Sequence, residues 1–171
     1  MTQRIRRTAA AALFCCLAAG AAAQTPERTI RYDLTHCYVA EEHAVEAVVS
    51  DHKVLAYRVK AVVMRGTTRA NEPGGPLDGA ATRCVGTFAY LGGGFPASEG
   101  YCELATSAED RLLFRWDSKA GEGSSAVLAG TGRYWGASGE GSFRVLPPVI
   151  PSLEPGVFRT CLRGTGEFKL P

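Results

Sequence analysis

The chain has few of the residues from which metal sites are usually built. It contains three histidines, at positions 36, 43 and 52, and none of them forms an H-x-x-x-H pair. Its six cysteines include no C-x-x-C pair. Structural zinc sites need such closely spaced ligands. The sequence therefore favours no metal ion, and we expect no cofactor.

Two common functional motifs are missing from the glycine-rich stretch at residues 130–141, which reads GTGRYWGASGEG. Its spacing differs from the G-x-G-x-x-G dinucleotide fingerprint, and no helical pattern follows that could face a phosphate. The G-x-S-x-G frame of a serine-hydrolase elbow is also absent. Strand-like apolar runs flank the stretch, so it predicts a bent hairpin with a bulge.

Long apolar runs are confined to the start of the chain. Arg4, Arg6 and Arg7 precede an apolar segment at 9–19, and three alanines precede Gln24. This order is typical of a secretory signal, and the apolar segment is too short for a comfortable membrane span. We therefore predict a signal peptide at 1–23 and a single exported domain at 24–171, periplasmic or secreted, with no membrane span.

An excess of one charge is lacking as well. The signal contains three arginines and no acid, so 16 basic residues face 17 acidic ones after its removal and the formal charge is −1. A near-neutral domain without a basic run is a poor partner for nucleic acid or an anionic membrane. Nothing in the sequence specifies an oligomeric state.

Four cysteines remain after cleavage: Cys37, Cys84, Cys102 and Cys161. An even number in an exported chain predicts two disulfides, and four cysteines allow three pairings.

Alternation of apolar and polar residues predicts about eight strands and no long helix. Segment 41–51 fits either a helical face or a hairpin arm. Turn formers predict loops at 66–79 and 121–125, and four prolines argue against regular pairing at 147–156. Eight antiparallel strands suggest a closed barrel or a two-sheet sandwich. The predicted strands are 30–39, 54–64, 82–91, 100–106, 111–116, 126–130, 139–146 and 157–170.

The glycine stretch, with Gly130, Gly132, Gly136, Gly139 and Gly141, resembles the GTGkYaGasGxG signature of the allene oxide cyclase and dirigent-like barrel superfamily. The segments Cys84-Val85-Gly86 and Gly100-Tyr101-Cys102 resemble the C-x-G and G-Y-C spacing of its secreted bacterial members, which are mostly uncharacterised. The resemblance covers residues 80–168 and implies an all-β, antiparallel eight-stranded barrel.

A closed barrel makes its first and last strands neighbours. Together with the resemblance, this favours a Cys37–Cys161 bridge. The other bridge is then Cys84–Cys102, between successive strands of one hairpin.

The candidate site is the interior, because a barrel of eight strands is either filled or holds one small ligand. We assign His36, Tyr57, Glu103 and Trp116 as ligand-binding residues, with His36 and Glu103 as the polar groups that orient a guest. The alternative for Glu103 is a charge at the barrel mouth that faces water. The inward rows are predicted to contain Leu34, Tyr38, Leu55, Tyr57, Val59, Phe88, Tyr90, Phe114, Trp116, Phe143, Phe158 and Leu162.

These rows favour an exported barrel that binds a small apolar or aromatic molecule, with no catalysis assigned. Two alternatives remain open. One is an isomerase or cyclase of the allene oxide cyclase type, which would need an inward polar pair beside a cavity. The other is a structural or interaction module with a filled core.

The signal peptide can be tested directly. We expect exported protein to begin at Gln24, because the small residues before it form the cleavage pattern. Intact-mass analysis measures this. A species that retains residues 1–23, or one that carries a lipid on Cys16, would contradict it.

Overall fold

The structure is a computed structural model that describes residues 27–48, 57–90 and 96–171. For residues 45–48, 57 and 58 it describes the backbone but not the side chains. The predicted signal peptide therefore lies outside the described residues. Eight antiparallel strands pair in chain order, and the last closes on the first, so the predicted all-β closed barrel is confirmed. The strands are β1 (Arg28–Val48), β2 (Tyr57–Ala70), β3 (Ala81–Tyr90), β4 (Ala97–Ala105), β5 (Arg111–Lys119), β6 (Glu122–Gly130), β7 (Ser138–Pro151) and β8 (Val157–Leu170).

Both predicted disulfides are present, and each joins residues that lie directly opposite on neighbouring strands. Cys37 faces Cys161 across the β1–β8 seam, and Cys84 faces Cys102 within the β3–β4 hairpin. Cys84 is buried in the interior, whereas Cys37 is exposed on the outer face. One bridge therefore fastens the wall from outside and the other lies within the core.

The inward row of β1 consists of even-numbered residues, as its alternation predicts. Tyr32, Leu34, His36, Tyr38 and Ala40 are all buried. The strand continues beyond the predicted end at residue 39 to Val48, which resolves the ambiguous segment in favour of a strand up to that residue. Residues 49–56 and 91–95, which include parts of predicted segments, lie outside the described residues.

The inward row of β2 differs from the prediction by one residue. The buried residues are Val62, Met64 and Thr68, while Val59 is only half-buried. Lys60 shares the inward row because its ammonium pairs with the Glu42 carboxylate of β1. Because the inward row of β2 contains the charged Lys60, the sequence pattern did not identify it as the apolar row. The outward row contains valines, and its apolar alternation predicted this row as the inward one.

Two predicted loops are shorter than expected. Strand β2 continues through Gly66 to Ala70, so the β2–β3 loop covers only 71–80. Glu122 already pairs with Lys119, and the turn between them is Ala120–Gly121, both with positive φ (57° and 84°). Two residues of this kind form a tight hairpin turn, so no long loop is needed.

Strand β7 extends into the proline-rich segment, as far as Pro151. Its pairing with β8 nevertheless shifts between Leu146 and Ile150, so the two adjacent prolines, Pro147 and Pro148, lie where the ladder is interrupted. Prolines lack the N–H that a ladder needs. The prediction was therefore wrong about the extent of the strand and right about the irregular pairing.

The glycine-rich stretch forms the β6–β7 connection, as predicted. A short 3-10 helix, Gly132–Tyr134, lies between the strands, and a bulge in β6 shifts its register against β5. Gly141 lies opposite Gly166 on β8, and a Cβ on Gly166 would lie 2.6 Å from the Tyr32 hydroxyl oxygen. The glycines therefore leave room inside the wall for the Tyr32 ring.

The barrel interior has two unlike halves. At the lower end, where β1 begins and β8 ends, the core is packed around Phe168, which is fully buried. The Tyr134 ring lies edge-on to it at 5.8 Å, and Leu77 of the β2–β3 loop closes the same cluster. The upper half contains a second cluster: Tyr38, Ala40, Val62, Met64, Cys84, Phe88 and Trp116.

Within the described part of the chain, no helix has the length and apolar character needed to cross a membrane.

The two disulfides should contribute unequally to stability. A chain-entropy treatment gives about 5 kcal/mol for the Cys37–Cys161 bridge and about 3 kcal/mol for Cys84–Cys102, because their sequence separations are 124 and 18 residues. We expect C37A/C161A to lower the free energy of unfolding by about the larger amount, measured in urea. A loss below about 1 kcal/mol would show that the seam holds without its bridge.

Candidate functional site

The barrel contains an open cavity of about 620 Å³, whose lining extends from Tyr90 and Phe158 in the upper half to Tyr32 and Leu77 of the lower cluster. This volume lies within the range of about 300–1,000 Å³ typical of small-molecule sites. Nine of the predicted inward residues line it: Leu34, Tyr38, Phe88, Tyr90, Phe114, Trp116, Phe143, Phe158 and Leu162. Of the other three, Val59 on β2 is not among the lining residues, and residue 55 and the side chain of residue 57 lie outside the described residues.

Aromatic rings on β3, β5 and β8 form an aromatic wall around the cavity. Phe88 is edge-on to Trp116 at 6.5 Å between ring centroids and lies 6.3 Å from Phe158. Offset and edge-on contacts of this kind are favourable beyond the area that they bury. The wall offers flat apolar surfaces to a guest.

Trp116 lies in this wall, as predicted, because two glycines make room for it. Gly86 and Gly100 lie opposite each other on β3 and β4, and a Cβ on either would lie 2.7 Å from the Trp116 Cζ2 atom. The glycines of the C-x-G and G-Y-C segments therefore hold the indole flat against the sheet. The Trp116 Nε1–H is buried and has no hydrogen-bond partner among the described residues.

His36 lies in the wall of the cavity, as predicted, and is buried. Its Nε2 atom is 2.6 Å from the Thr82 hydroxyl oxygen, across the intervening strand β2. Burial lowers the pKa of His36 to about 4. The imidazole is therefore neutral at physiological pH and acts as a hydrogen-bonding group, without a positive charge.

The structure does not support Glu103 as a group that orients a guest. Its side chain lies on the outer face, where Arg111 Nη1 donates to its two carboxylate oxygens at 3.2 and 3.3 Å, and it does not line the cavity. The inward row of β4 is the even one, with Cys102 and Leu104. Glu103 is thus a surface charge, whereas the side chain of Tyr57 falls outside the described residues.

The carboxylate that does face the cavity is Glu42, which the sequence analysis missed. It accepts hydrogen bonds from the Tyr90 hydroxyl and the Lys60 ammonium, and its side chain is only 7% exposed. The ammonium also lies 5.0 Å from the centroid of the Tyr90 ring. Burial, and then the neighbouring carboxylate, raise the pKa of Tyr90 above its ordinary value, so its phenol stays protonated.

The cavity lining mixes polar and apolar groups, with one serine on each of the strands β4 to β7 as well as polar groups on β1. The even row of β1 contributes His36, Tyr38 and Glu42, whereas β5 contributes Phe114 and Trp116. In a closed barrel of eight strands in chain order, β1 and β5 are diametrically opposed. The cavity is therefore suited to a largely apolar guest that has a few polar groups. No cluster of potential metal ligands occurs among the residues whose placement the structure gives.

The pKa of His36 makes stability depend on pH. The unfolded chain takes up the proton near the ordinary pKa of 6.5, the folded chain only near 4. Stability is thus complete above about pH 6.5 and falls as the pH drops through this window, by about 3 kcal/mol at pH 4. H36Q keeps a polar partner for Thr82 and should remove this part of the acid sensitivity. Urea unfolding at pH 7.5 and pH 4 measures the difference; equal acid losses in both proteins would contradict it.

No protein-family model matches the chain, and neither does any curated protein. Among solved structures, it is similar to two pterocarpan synthase dirigent proteins. GePTS1 is 10% identical, with a TM-score of 0.49 over 85% of this chain and 86% of that chain. PsPTS1 is 10% identical, with a TM-score of 0.40 over 79% and 94%. At this identity and with both TM-scores under 0.5, the likeness assigns the chain to no family.

Proposed function

We propose that this protein is an exported barrel that binds one small apolar or aromatic molecule in its interior. The observation that carries the proposal is the cavity of about 620 Å³, whose lining combines aromatic rings with a few polar groups. Ligand sites commonly combine apolar walls with a small number of convergent polar groups.

A filled structural barrel fits this interior less well. The lower half shows what close packing looks like in this chain, because Phe168 and Leu112 are completely buried there. In the upper half, Phe143, Phe158 and Leu162 are only partly buried around the cavity. A core evolved for packing alone would be expected to fill this volume, since voids are destabilising.

The isomerase or cyclase alternative is favoured by one observation, the inward pair of Glu42 and Tyr90 beside the cavity. Two features weaken it as an acid–base pair. The Glu42 carboxylate is already bound by Lys60, and the raised pKa of Tyr90 makes its phenol a poor proton donor at neutral pH. Binding therefore remains the preferred function.

Export is part of the proposal and is supported by the two disulfides, since such bridges persist in oxidising compartments. The predicted signal peptide at 1–23 is consistent with it.

Binding can be tested with a panel of apolar aromatic compounds and fatty acids. Thermal unfolding of the mature protein measures stabilisation, which should reach about 2.7 kcal/mol at a hundredfold excess over Kd. Trp116 fluorescence reports occupancy if Trp135, which is 75% exposed, is replaced by Phe. If no compound shifts the melting temperature, binding is contradicted.

A matched pair of variants localises the effect. Ser118 lines the cavity, so S118F should fill part of it and weaken binding by more than about tenfold. Leu113 lies on the same strand and is exposed on the outer face, so L113F should bind normally. Turnover of a bound compound that E42Q abolishes would favour the isomerase alternative.

A further inference from the structure

The hydroxyl of Tyr38 is a polar group in the cavity that nothing in the described structure satisfies. Tyr38 is 8% exposed and lines the cavity. No hydrogen bond to its hydroxyl is found among the described residues, and the hydroxyl is not one of the completely enclosed polar atoms, of which Trp116 Nε1 is the example. It is therefore accessible from the cavity and free to bind a guest.

The phenol of Tyr38 is a donor at every physiological pH. Burial raises its pKa to about 12, and no partner changes its charge state. A purely apolar guest that covered this hydroxyl would leave a buried donor without a partner, which is unfavourable, whereas a guest that brings an acceptor would satisfy the donor.

The charges around the cavity select against an anionic guest. Lysine and arginine are absent from the described residues that line it, and Lys60 is committed to Glu42 at the rim. His36, which lies 5.1 Å from Tyr38 between ring centroids, is neutral at pH 7 because burial lowers its pKa to about 4. A carboxylate in this cavity would meet Glu42 without a free cation to pair with, and burying an unpaired charge is strongly unfavourable.

The opposite wall defines the shape of the guest. Trp116 lies against the Gly86–Gly100 pair, and the Phe88 ring on β3 continues this surface, whereas Phe158 belongs to β8, beside β1. A planar ring system that stands edge-on to the Trp116 indole would direct its far edge towards β1 and the Tyr38 hydroxyl, because β1 and β5 lie on opposite sides of the barrel.

We propose that the guest of this cavity is an uncharged planar aromatic molecule with a carbonyl oxygen on one edge, and that Tyr38 donates a hydrogen bond to that oxygen. This inference rests on the proposed binding function and narrows it to a ligand class. It makes Tyr38 the specificity-determining residue and excludes free fatty acids as guests.

Three naphthalenes of nearly equal size test the proposal: 2-acetylnaphthalene, 2-ethylnaphthalene and 2-naphthoate. Each is measured at pH 7.5 by titrating mature protein into the ligand in a calorimeter. The ketone should bind about fivefold more tightly than the ethyl compound, the equivalent of one hydrogen bond of about 1 kcal/mol. Naphthoate should bind more weakly than both.

The variant Y38F removes the hydroxyl with little change in shape. It should lower ketone affinity about fivefold, to the level of the ethyl compound, and leave ethyl binding unchanged. Y101F makes the same chemical change at a tyrosine that is 50% exposed on the outer face, and it should keep the ketone preference. Thermal unfolding of both variants verifies that they are folded; if Y38F does not fold, the ligand series on unmodified protein still decides.

The outcomes separate this inference from the function on which it rests. If the ethyl compound binds and the ketone binds no better, or if Y38F keeps the ketone preference, the Tyr38 contact is refuted while binding stands. Tight binding of naphthoate would refute the selection for an uncharged guest. If none of the three compounds binds, the inference fails, and failure of the wider panel as well would remove the binding function.

Discussion

Closure of the sheet between β1 and β8 is the constraint on which the rest of this structure depends. The two strands pair continuously from Arg28 opposite Leu170 to Glu41 opposite Val157. A barrel of this kind leaves no unpaired edge along the seam, so backbone groups are satisfied without a partner chain there. Closure also fixes which strands face each other across the interior, and it thereby forms the cavity between them.

Much of the fold follows from local patterns in the sequence. Alternation along β1 and β5 gives the correct inward rows, and the even cysteine count together with the barrel topology gives the correct bridges. The pattern fails where a neighbouring strand changes the meaning of a residue. Lys60 is inward only because Glu42 on β1 neutralises it, and this pairing is a tertiary contact that no spacing within β2 encodes.

The site was predictable in part for the same reason. His36 and Trp116 lie on well-patterned strands, and both line the cavity. Glu42 belongs to the same even row as His36 and Tyr38, and extending the alternation of β1 beyond residue 39 would have found it. Glu103 was assigned to the wrong face because Tyr101 and Ala105 on its row have apolar character, although Tyr101 is half exposed in the fold. In the alternation pattern of a sequence, an aromatic residue on the outer face of a barrel cannot be distinguished from one in its interior.

The two ends of the barrel differ in more than packing. Arg28 and Leu170 lie side by side at the lower end, which Phe168, Tyr134 and Leu77 fill, whereas the Glu42–Tyr90 pair lies near the other end. A segment joined to the chain before Arg28 or after Leu170 is thus attached at the lower, packed end of the barrel. If such a connection held the barrel on a surface, the upper end would point away from that surface, and the cavity would remain accessible from the surrounding solution.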